Sequence, residues 1–358
     1  MATVNFENGY MRYSGDNPFG TQAKMLHHLK LLNEYLETGD TTGPVFMEVN
    51  PTNRCNLACS WCISENSRGE EEIEIGALER FFKDFKVLGG KALTFSGGGE
   101  PTFYRHFERA VESSKGEDLE LGLMTDGVYK SRYSPLIGES FQWARFSLDT
   151  LDEANYEKCK GHNTVPQVLA NIEALKEYPI NVGVNCNLGD NLSVEEVQEL
   201  VNWFVETKPA DYLQFRPILH RYFKGEHPLI NEDAWDYLDT VRGTLGITFS
   251  DDKLSDIRDG NAFPFRSCEG HYFEPVLHAT GEVQVCMYHP RDSRFTFGNI
   301  HESSFREIWE SQQRQESIEF TRKFDYAKGC QFSCKLTEPN KLLDFLNHPE
   351  EAKDINFL

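Results

Sequence analysis

From residue 45 onward the chain alternates between short strand-like segments and longer segments with helical periodicity. Such alternation predicts an α/β fold with a parallel sheet and right-handed crossovers. We expect strands near residues 45–50, 91–96, 119–125, 144–149, 180–187 and 212–217. We expect helices near residues 73–88, 103–115, 152–160, 165–177 and 193–207. An amphipathic helix over 19–38 precedes the first strand, and residues 350–358 form a loose end.

Polar and apolar residues alternate along these strands with the period of two that separates the two faces of a sheet. The polar face carries Glu48, Asn50, Thr94, Ser96, Arg145, Ser147, Asp149, Asn185, Asn187, Tyr212, Gln214 and Arg216. The apolar face must then pack against the helices. If the sheet curves into a barrel, the polar residues line its interior, and a polar interior suits a polar ligand. The alternative is a sheet with one solvated face.

Three cysteines, Cys55, Cys59 and Cys62, lie within eight positions with the spacing C-x3-C-x2-C. Three thiolates this close suit one compact iron–sulfur cube and leave its fourth iron without a protein ligand. An iron with an open position can bind and activate a small molecule. A structural zinc site needs a fourth ligand, which the nearby sequence does not offer, and buried thiols are the other alternative.

With two further motifs, this cysteine pattern resembles the radical S-adenosylmethionine (SAM) superfamily. Residues 95–101, Phe-Ser-Gly-Gly-Gly-Glu-Pro, are similar to the GGEP motif of that superfamily. Residues 123–127, Leu-Met-Thr-Asp-Gly, are similar to its T-N-G motif, with Asp126 in place of the usual Asn. The resemblance implies a partial (β/α)6 barrel, bound SAM, and a SAM-binding [4Fe–4S] cluster on the three cysteines.

The resemblance also points to residues that contact SAM. In the superfamily the aromatic residue before the third cysteine packs near the adenine, the glycines admit the methionine part, and the glutamate lies near its amino group. The candidate SAM contacts are Trp61, Gly98, Gly99, Glu100, Thr125 and Ser147. Arg216 is a candidate catalytic residue that meets a carboxylate or a substrate oxygen. Arg145 and Asp149 either face the ligand or pair with each other.

A second group of cysteines follows residue 260. A β-hairpin is predicted from residues 272–277 and 282–287 around an Ala-Thr-Gly turn, with a helix near 303–319. The group consists of Cys268, Cys286, Cys330 and Cys334. The first part of this segment, from Cys268 to Cys286, resembles the SPASM extension of radical SAM enzymes. Four thiolates make one fully ligated auxiliary [4Fe–4S] cluster. This shortened form is similar to the "twitch" domain of 2-deoxy-scyllo-inosamine dehydrogenase; a four-cysteine zinc site or unligated thiols are the alternatives.

These patterns divide the chain into three parts. Residues 1–44 form a helical lead-in, 45–255 the radical SAM partial barrel, and 256–358 the small iron–sulfur domain built from the hairpin and helix. Two cysteines remain. Cys186 lies on the apolar strand face and is expected to be a buried core thiol. Cys159 follows the fourth strand and either donates a hydrogen atom to a substrate radical or is a surface or helix-packing thiol.

Composition narrows the class of protein. The net charge of −21 on 358 residues disfavours a nucleic acid partner. No apolar run is long enough to span a bilayer, and residues 1–7 lack the pattern of a signal peptide. Nine cysteines without secretion suit metal ligation in a reducing cytosol. We therefore expect a cytoplasmic enzyme without a membrane partner.

The resemblance implies a reaction in which a 5′-deoxyadenosyl radical takes hydrogen from a C–H bond. An external one-electron donor such as flavodoxin or ferredoxin is then required. The predicted polar interior favours a polar substrate such as a sugar, aminocyclitol or glycoside. The N-terminal segment is too short for a peptide-recognition domain, which also favours a small substrate of this kind. We expect a two-electron oxidation, with the auxiliary cluster as electron acceptor. The alternatives are an epimerase with a cysteine hydrogen donor and a peptide-modifying SPASM maturase.

Overall fold

The computed structural model describes residues 3–7, 10–14, 24–218, 230–259, 263, 265–330 and 333–351. Its strands are β1 Thr3–Glu7, β2 Tyr10–Ser14, β3 Phe46–Val49, β4 Ala92–Phe95, β5 Glu120–Thr125, β6 Trp143–Ser147, β7 Asn181–Leu188, β8 Tyr212–Pro217, β9 Ile247–Phe249, β10 Val276–Leu277, β11 Glu282–Gln284 and β12 Thr296–Asn299. Its α-helices are α1 Leu29–Thr38, α2 Ile75–Val87, α3 Phe107–Gly116, α4 Ser134–Ser140, α5 Glu153–Lys160, α6 Val165–Leu175, α7 Val194–Thr207, α8 Glu232–Thr240, α9 Asp251–Asp259, α10 Phe305–Trp309, α11 Gln312–Arg322, α12 Tyr326–Gly329 and α13 Thr337–Asn347.

One ten-stranded sheet organises the chain, in the order β12-β11-β10-β3-β4-β5-β6-β7-β8-β9. Strands β3 to β9 are parallel to their neighbours, and helices connect them. The prediction of an α/β fold with a parallel barrel sheet is therefore confirmed, and all six predicted strands are present. Strand β9 adds a seventh parallel strand to these six.

The predicted C-terminal hairpin joins the same sheet. Strands β10 and β11 are antiparallel, as the turn chemistry predicts. However, β10 also pairs in parallel with β3, so that Val276 lies opposite Glu48 and Leu277 opposite Val49. The C-terminal segment thus extends one edge of the barrel and brings its residues next to the first barrel strand.

The apolar strand face forms the core against the helices, as predicted. Helix α2 contributes four residues that are almost fully buried, Leu78, Phe81, Phe82 and Phe85. This helix begins where the Glu74 carboxylate accepts hydrogen bonds from the N–H groups of Gly76 (2.9 Å) and Ala77 (2.7 Å). The polar face is also buried: Glu48, Thr94, Asn185 and Gln214 are each less than one tenth exposed. A merely solvated face is thereby excluded, because these polar residues point into the barrel.

Some predicted elements differ in detail. The helix predicted near 303–319 is broken into α10 and α11, because the Ser311 hydroxyl caps α11 by accepting the N–H of Arg314 (3.0 Å). The segment expected to be a helical lead-in also holds the β1–β2 hairpin. The predicted helix over 19–38 corresponds to α1 and the short 3₁₀ turn before it; residues 19–23 and 352–358 lie outside the described residues.

The C-terminal segment packs on the start of the barrel through polar contacts. The Arg314 guanidinium, almost fully buried, pairs with the carboxylate of Asp40 (3.0 Å) and lies 3.9 Å from the centre of the Trp309 ring. The indole N–H of Trp309 donates a hydrogen bond to the carbonyl of Thr41 (2.7 Å). Across the described ranges, every helix is too short or too polar to cross a membrane.

Candidate active site

A cavity of about 370 Å³ opens at the carboxyl ends of the barrel strands. Three groups of residues line it: the loop that carries Cys55, Cys59 and Cys62, the ends of the strands from β3 to β8, and residues from beyond position 250. Since catalytic residues of parallel barrels gather at this end, the cavity is the candidate active site.

The cysteine loop is tied to the C-terminal end of α5. The N–H of Ala58 donates to the carbonyl of Lys160 (2.7 Å), and the N–H of Ser60 donates to the carbonyl of Cys159 (3.0 Å). These bonds hold the three thiols along one side of the cavity, and Trp61 lines it beside them. The structure therefore brings the predicted cluster ligands and the predicted adenine contact together.

The donor set fits an iron–sulfur cluster. Its three thiols line one cavity, and thiolates are the ligands that hold iron–sulfur clusters in proteins. Burial raises the pKa of Cys55 to about 12 and that of Cys59 to about 11. Iron must therefore displace the protons of these thiols when a cluster binds.

The glycine-rich loop lies directly against the cysteine loop. The N–H of Gly99 donates to the carbonyl of Thr52, and the N–H of Glu100 donates to the carbonyl of Arg54, both at 2.9 Å. A Cβ atom on Gly98 would lie 2.1 Å from the side-chain oxygen of Asn53. The glycines are expected to make room for a ligand; in the structure Gly98 also leaves room for the Asn53 side chain and Gly99 for the Arg54 carbonyl.

The Glu100 carboxylate is buried and fully positioned by the protein. One oxygen accepts hydrogen bonds from the N–H (3.1 Å) and hydroxyl (2.8 Å) of Thr102 and from the hydroxyl of Thr125 (2.8 Å). The other oxygen accepts the N–H of Asp126 (2.8 Å). Thus the predicted contacts Glu100 and Thr125 form one hydrogen-bonded unit at the cavity wall.

Asp126 stands where the resemblance expects an asparagine. Its carboxylate accepts the N–H of Val128 (2.8 Å), and the residue lines the cavity. Burial and the neighbouring charge of Glu100 raise the pKa of Asp126 well above its usual range. A raised pKa favours the protonated carboxyl group, which offers a hydrogen-bond donor as well as an acceptor, as an amide does.

A buried ion pair stands at the end of β6. Lys160 and Asp149, both almost fully buried, are 2.8 Å apart, and the Lys160 ammonium also donates to the carbonyl of Ser147 (2.8 Å). Burial alone would lower the pKa of Lys160, but Asp149 raises it above its usual value. The suggested pairing of Arg145 with Asp149 is corrected by this contact, since Asp149 lies beyond the end of β6 and faces α5.

The second cysteine group adjoins the same cavity. Burial, followed by the proximity of Cys334 and Cys286, raises the pKa of Cys268, so these three lie near one another. The amide of Asn340 donates to the sulfur of Cys268 (3.4 Å). Cys330 lies at the end of α12, where it and Cys268 both flank Tyr326.

Three residues connect this group to the cavity. Met287 and Tyr288, which directly follow Cys286, and Lys335, which directly follows Cys334, line the cavity wall. Lys335 pairs with Glu48 (2.7 Å) and Glu274 (3.2 Å). Sequence reasoning missed Lys160, Lys335 and Tyr288, because no motif distinguishes them from ordinary residues beside a cysteine.

The two remaining cysteines lie elsewhere. Cys186 is fully buried in the core, as predicted, and its thiol donates to the carbonyl of Asp149 (3.3 Å). Cys159 is also buried, and its thiol donates to the side-chain oxygen of Asn155 (3.5 Å). The described cavity lining does not include Cys159; the structure therefore supports the helix-packing interpretation of this residue.

Two family profiles match the chain. That of the radical SAM superfamily covers residues 49–204, and that of the SPASM iron–sulfur cluster-binding domain covers residues 268–335. The GTP 3′,8-cyclase of Paracoccus denitrificans (strain Pd 1222) is 28% identical over 266 residues, which is 68% of this chain and 76% of that protein. The GTP 3′,8-cyclase of Bradyrhizobium diazoefficiens is 29% identical over 167 residues, which is 44% of this chain and 48% of that protein.

Solved structures share the fold. Streptococcus suis SuiB bound to its precursor peptide SuiA superposes with a TM-score of 0.66 at 16% identity, covering 97% of this chain and 81% of that one. The enzyme anSMEcpe, with bound AdoMet and the Cp18Cys peptide, superposes with a TM-score of 0.59 at 21% identity, covering 83% and 88%. The predicted cofactors agree with both profiles: a SAM-binding [4Fe–4S] cluster, SAM, and an auxiliary cluster.

Proposed function

This chain is a radical SAM protein with a SPASM iron–sulfur domain, and from that premise we propose that it is an enzyme that removes a hydrogen atom from a C–H bond of its substrate. The observation that carries the proposal is the shared cavity. Cys55, the glycine-rich loop before Glu100, and Tyr288 beside the second cysteine group all line it. When bound, the cluster and SAM would supply a 5′-deoxyadenosyl radical, after an external donor such as flavodoxin or ferredoxin has given the cluster one electron.

The protein's own part is binding and orientation. We assign the SAM-binding cluster to Cys55, Cys59 and Cys62. The other SAM contacts that we propose are Trp61 for the adenine, Gly98, Gly99 and Glu100 for the methionine part, and Thr125 and Ser147 at the neighbouring strand ends. The four hydrogen bonds that fix Glu100 support this role, because a preorganised carboxylate orients an amino group without further rearrangement.

We assign the auxiliary cluster to Cys268, Cys286, Cys330 and Cys334, and we propose a two-electron oxidation. Support comes from the position of these cysteines, since two of them are followed directly by residues of the cavity wall. An auxiliary cluster this close to the cavity suits an oxidation, because it can accept an electron from the bound substrate. Epimerisation needs a hydrogen donor in the cavity, and Cys159 is not among the residues that line it. None of the nine cysteines, all of which are among the described residues, forms a disulfide, which supports the proposal of a reducing, cytoplasmic location.

Two substrate classes are candidates. We propose a peptide side chain first, which is supported by the peptides present in the SuiB and anSMEcpe structures. A small polar molecule is the second candidate. Its support is the polar cavity wall and the relatives named GTP 3′,8-cyclase.

The test is anaerobic reconstitution with iron and sulfide, followed by reaction with SAM and a reductant. We expect 5′-deoxyadenosine to form in the wild type and not in a Cys55→Ala variant that keeps its auxiliary iron. Peptide and small-metabolite fractions are then supplied in heavy water and analysed by mass spectrometry. A product lacking two hydrogens indicates oxidation, and solvent deuterium at one carbon indicates epimerisation. A protein with both clusters loaded that cleaves no SAM would refute the proposal.

A further inference from the structure

Two arginines line the same cavity wall. Arg145 on β6 and Arg216 on β8 are separated by a single strand, β7, and both line the cavity. The Nε of Arg145 donates a hydrogen bond to the hydroxyl of Tyr212 (3.1 Å), and its guanidinium lies 5.8 Å from the centre of that ring. These contacts fix the Arg145 guanidinium against Tyr212, which lies on the same strand as Arg216.

The positive charge of Arg216 is less compensated by neighbouring groups than that of Arg145. Across the described residues, no carboxylate forms an ion pair with it, and the groups that act on its charge are Arg145, Tyr288 and Tyr212. Burial and then the like charge of Arg145 lower the pKa of Arg216 to about 10. The guanidinium nevertheless stays cationic at neutral pH.

Two lysines of this cavity wall show a different pattern. Lys160 is neutralised by Asp149 (2.8 Å), and Lys335 by Glu48 (2.7 Å) and Glu274 (3.2 Å). The protein thus supplies its own carboxylates to these buried cations. A desolvated charge without a partner destabilises a fold. Since no carboxylate among the described residues pairs with Arg216 at the cavity wall, we look for its partner in a bound ligand.

We propose that Arg216, with Arg145 on the same cavity wall, binds an oxyanion of the substrate, either a carboxylate or a phosphate. Guanidinium groups bind both with paired hydrogen bonds, and such binding would orient the substrate for attack at one C–H bond. This inference rests on the proposed function and narrows its substrate class to anions. A carboxylate would come from an acidic residue or the C-terminus of a peptide, and a phosphate from a nucleotide or a sugar phosphate.

The carboxylate of SAM is the competing partner for these arginines. The position of Arg216 favours the substrate, because β8 lies four strands away from β4, after which the glycine-rich loop follows. Arg216 instead lies near Tyr288 of the SPASM domain. Any test must therefore measure SAM affinity and anion affinity separately.

The experiment is isothermal titration of reconstituted protein holding both clusters and SAM, without reductant. Glutarate serves as the carboxylate probe and pyrophosphate as the phosphate probe. We expect saturable binding of one of them, which identifies the source of the anion. Arg216→Met should weaken that binding at least roughly tenfold, and Arg216→Lys should weaken it less. In both variants the affinity for SAM should change less than about twofold. Arg306→Met on the exposed face of α10, where Arg306 pairs only with Glu310, is the matched control and should bind like the wild type.

Three outcomes overturn the inference: no saturable binding of either probe, equal weakening in the Arg306→Met control, or a loss of SAM affinity in Arg216→Met as large as the loss of anion affinity. Iron content and the thermal unfolding midpoint verify that each variant is folded, and Arg216→Lys keeps the test valid should Arg216→Met not fold. Formation of 5′-deoxyadenosine by the wild type tests the radical chemistry separately, so the two proposals can fail independently.

Discussion

A Cβ atom on Gly99 would lie only 2.0 Å from the carbonyl oxygen of Arg54. The same carbonyl accepts the N–H of Glu100 at 2.9 Å. Arg54 directly precedes the first cysteine of the cluster loop. The glycine-rich loop and the cluster loop are therefore one packed unit, and a side chain at position 99 would push against the backbone that positions Cys55.

The first prediction follows from this contact. Gly99→Val should disturb the cluster loop as well as SAM binding, so the reconstituted protein should lose roughly half of its iron. The control is Gly116→Val at the end of α3, where a Cβ meets no atom within 4 Å. Iron analysis and SAM titration measure both effects. Full iron content combined with lost SAM binding would show that position 99 serves only the ligand.

The second prediction concerns the two groups of cysteines. If each group holds a four-iron cluster, reconstituted wild type should contain about eight irons per chain, and the Cys55→Ala, Cys59→Ala, Cys62→Ala variant about four. Iron and zinc analysis together distinguish a cluster from a zinc site at the second group. A folded triple variant that contains no iron would show that the second assignment is wrong.

The barrel strands could be predicted because each combines a buried apolar face with a polar interior face. Leu93 and Phe95 on one side and Thr94 on the other, all buried in β4, show this period clearly. The attachment of β10 to β3 could not be predicted. It pairs Val276 with Glu48, and no local pattern records a contact between residues so distant in the sequence.

The candidate site likewise has one part that could be predicted from the sequence and one part that could not. Motif residues such as Glu100 and Trp61 do line one cavity, because motifs fix chemistry at strand ends. Partners across the cavity were not predictable: Asp149 pairs with Lys160 rather than with Arg145, since helix α5 brings the lysine over the end of β6. Only the three-dimensional packing decides which cation meets which carboxylate.

The third prediction tests that buried pair. Lys160→Met leaves the Asp149 carboxylate buried without its cation and should lower the free energy of unfolding by about 3–5 kcal/mol. Adding Asp149→Asn should recover most of the loss, because it removes the uncompensated charge. Thermal unfolding of the reconstituted proteins provides the measurement. If the double variant is as unstable as the single one, packing rather than charge governs this site.

The fourth prediction concerns pH. Burial alone would raise the pKa of Asp40, but its hydrogen bonds to Arg314 and the charge of that residue hold the pKa below its usual value. A carboxylate with a lowered folded-state pKa stabilises the protein above its unfolded pKa near 4, and that stability is lost only as the pH falls through the folded value. Asp40→Asn should therefore cost about 1 kcal/mol, discounted for partial exposure, and the cost should stay constant from about pH 8 to 5.

The control for this prediction is Asp239→Asn in the exposed pair with Arg242, which should cost less than about 0.5 kcal/mol. Thermal midpoints at each pH give the comparison. A cost for Asp40→Asn that shrinks steadily between pH 8 and pH 5 would show that a group with a higher pKa, and not Asp40, governs this contact.

The last prediction decides between oxidation and epimerisation at Cys159. Its thiol is buried and donates to Asn155, and the residue does not line the described cavity. Cys159→Ala should therefore cleave SAM and form product within about twofold of the wild type. Cys286→Ala, in the proposed auxiliary group, should cleave SAM yet form little product, because the oxidation loses its electron acceptor. Should Cys159→Ala instead be the variant that cleaves SAM without forming product, the thiol donates a hydrogen atom after a local opening of α5, and epimerisation becomes the better assignment.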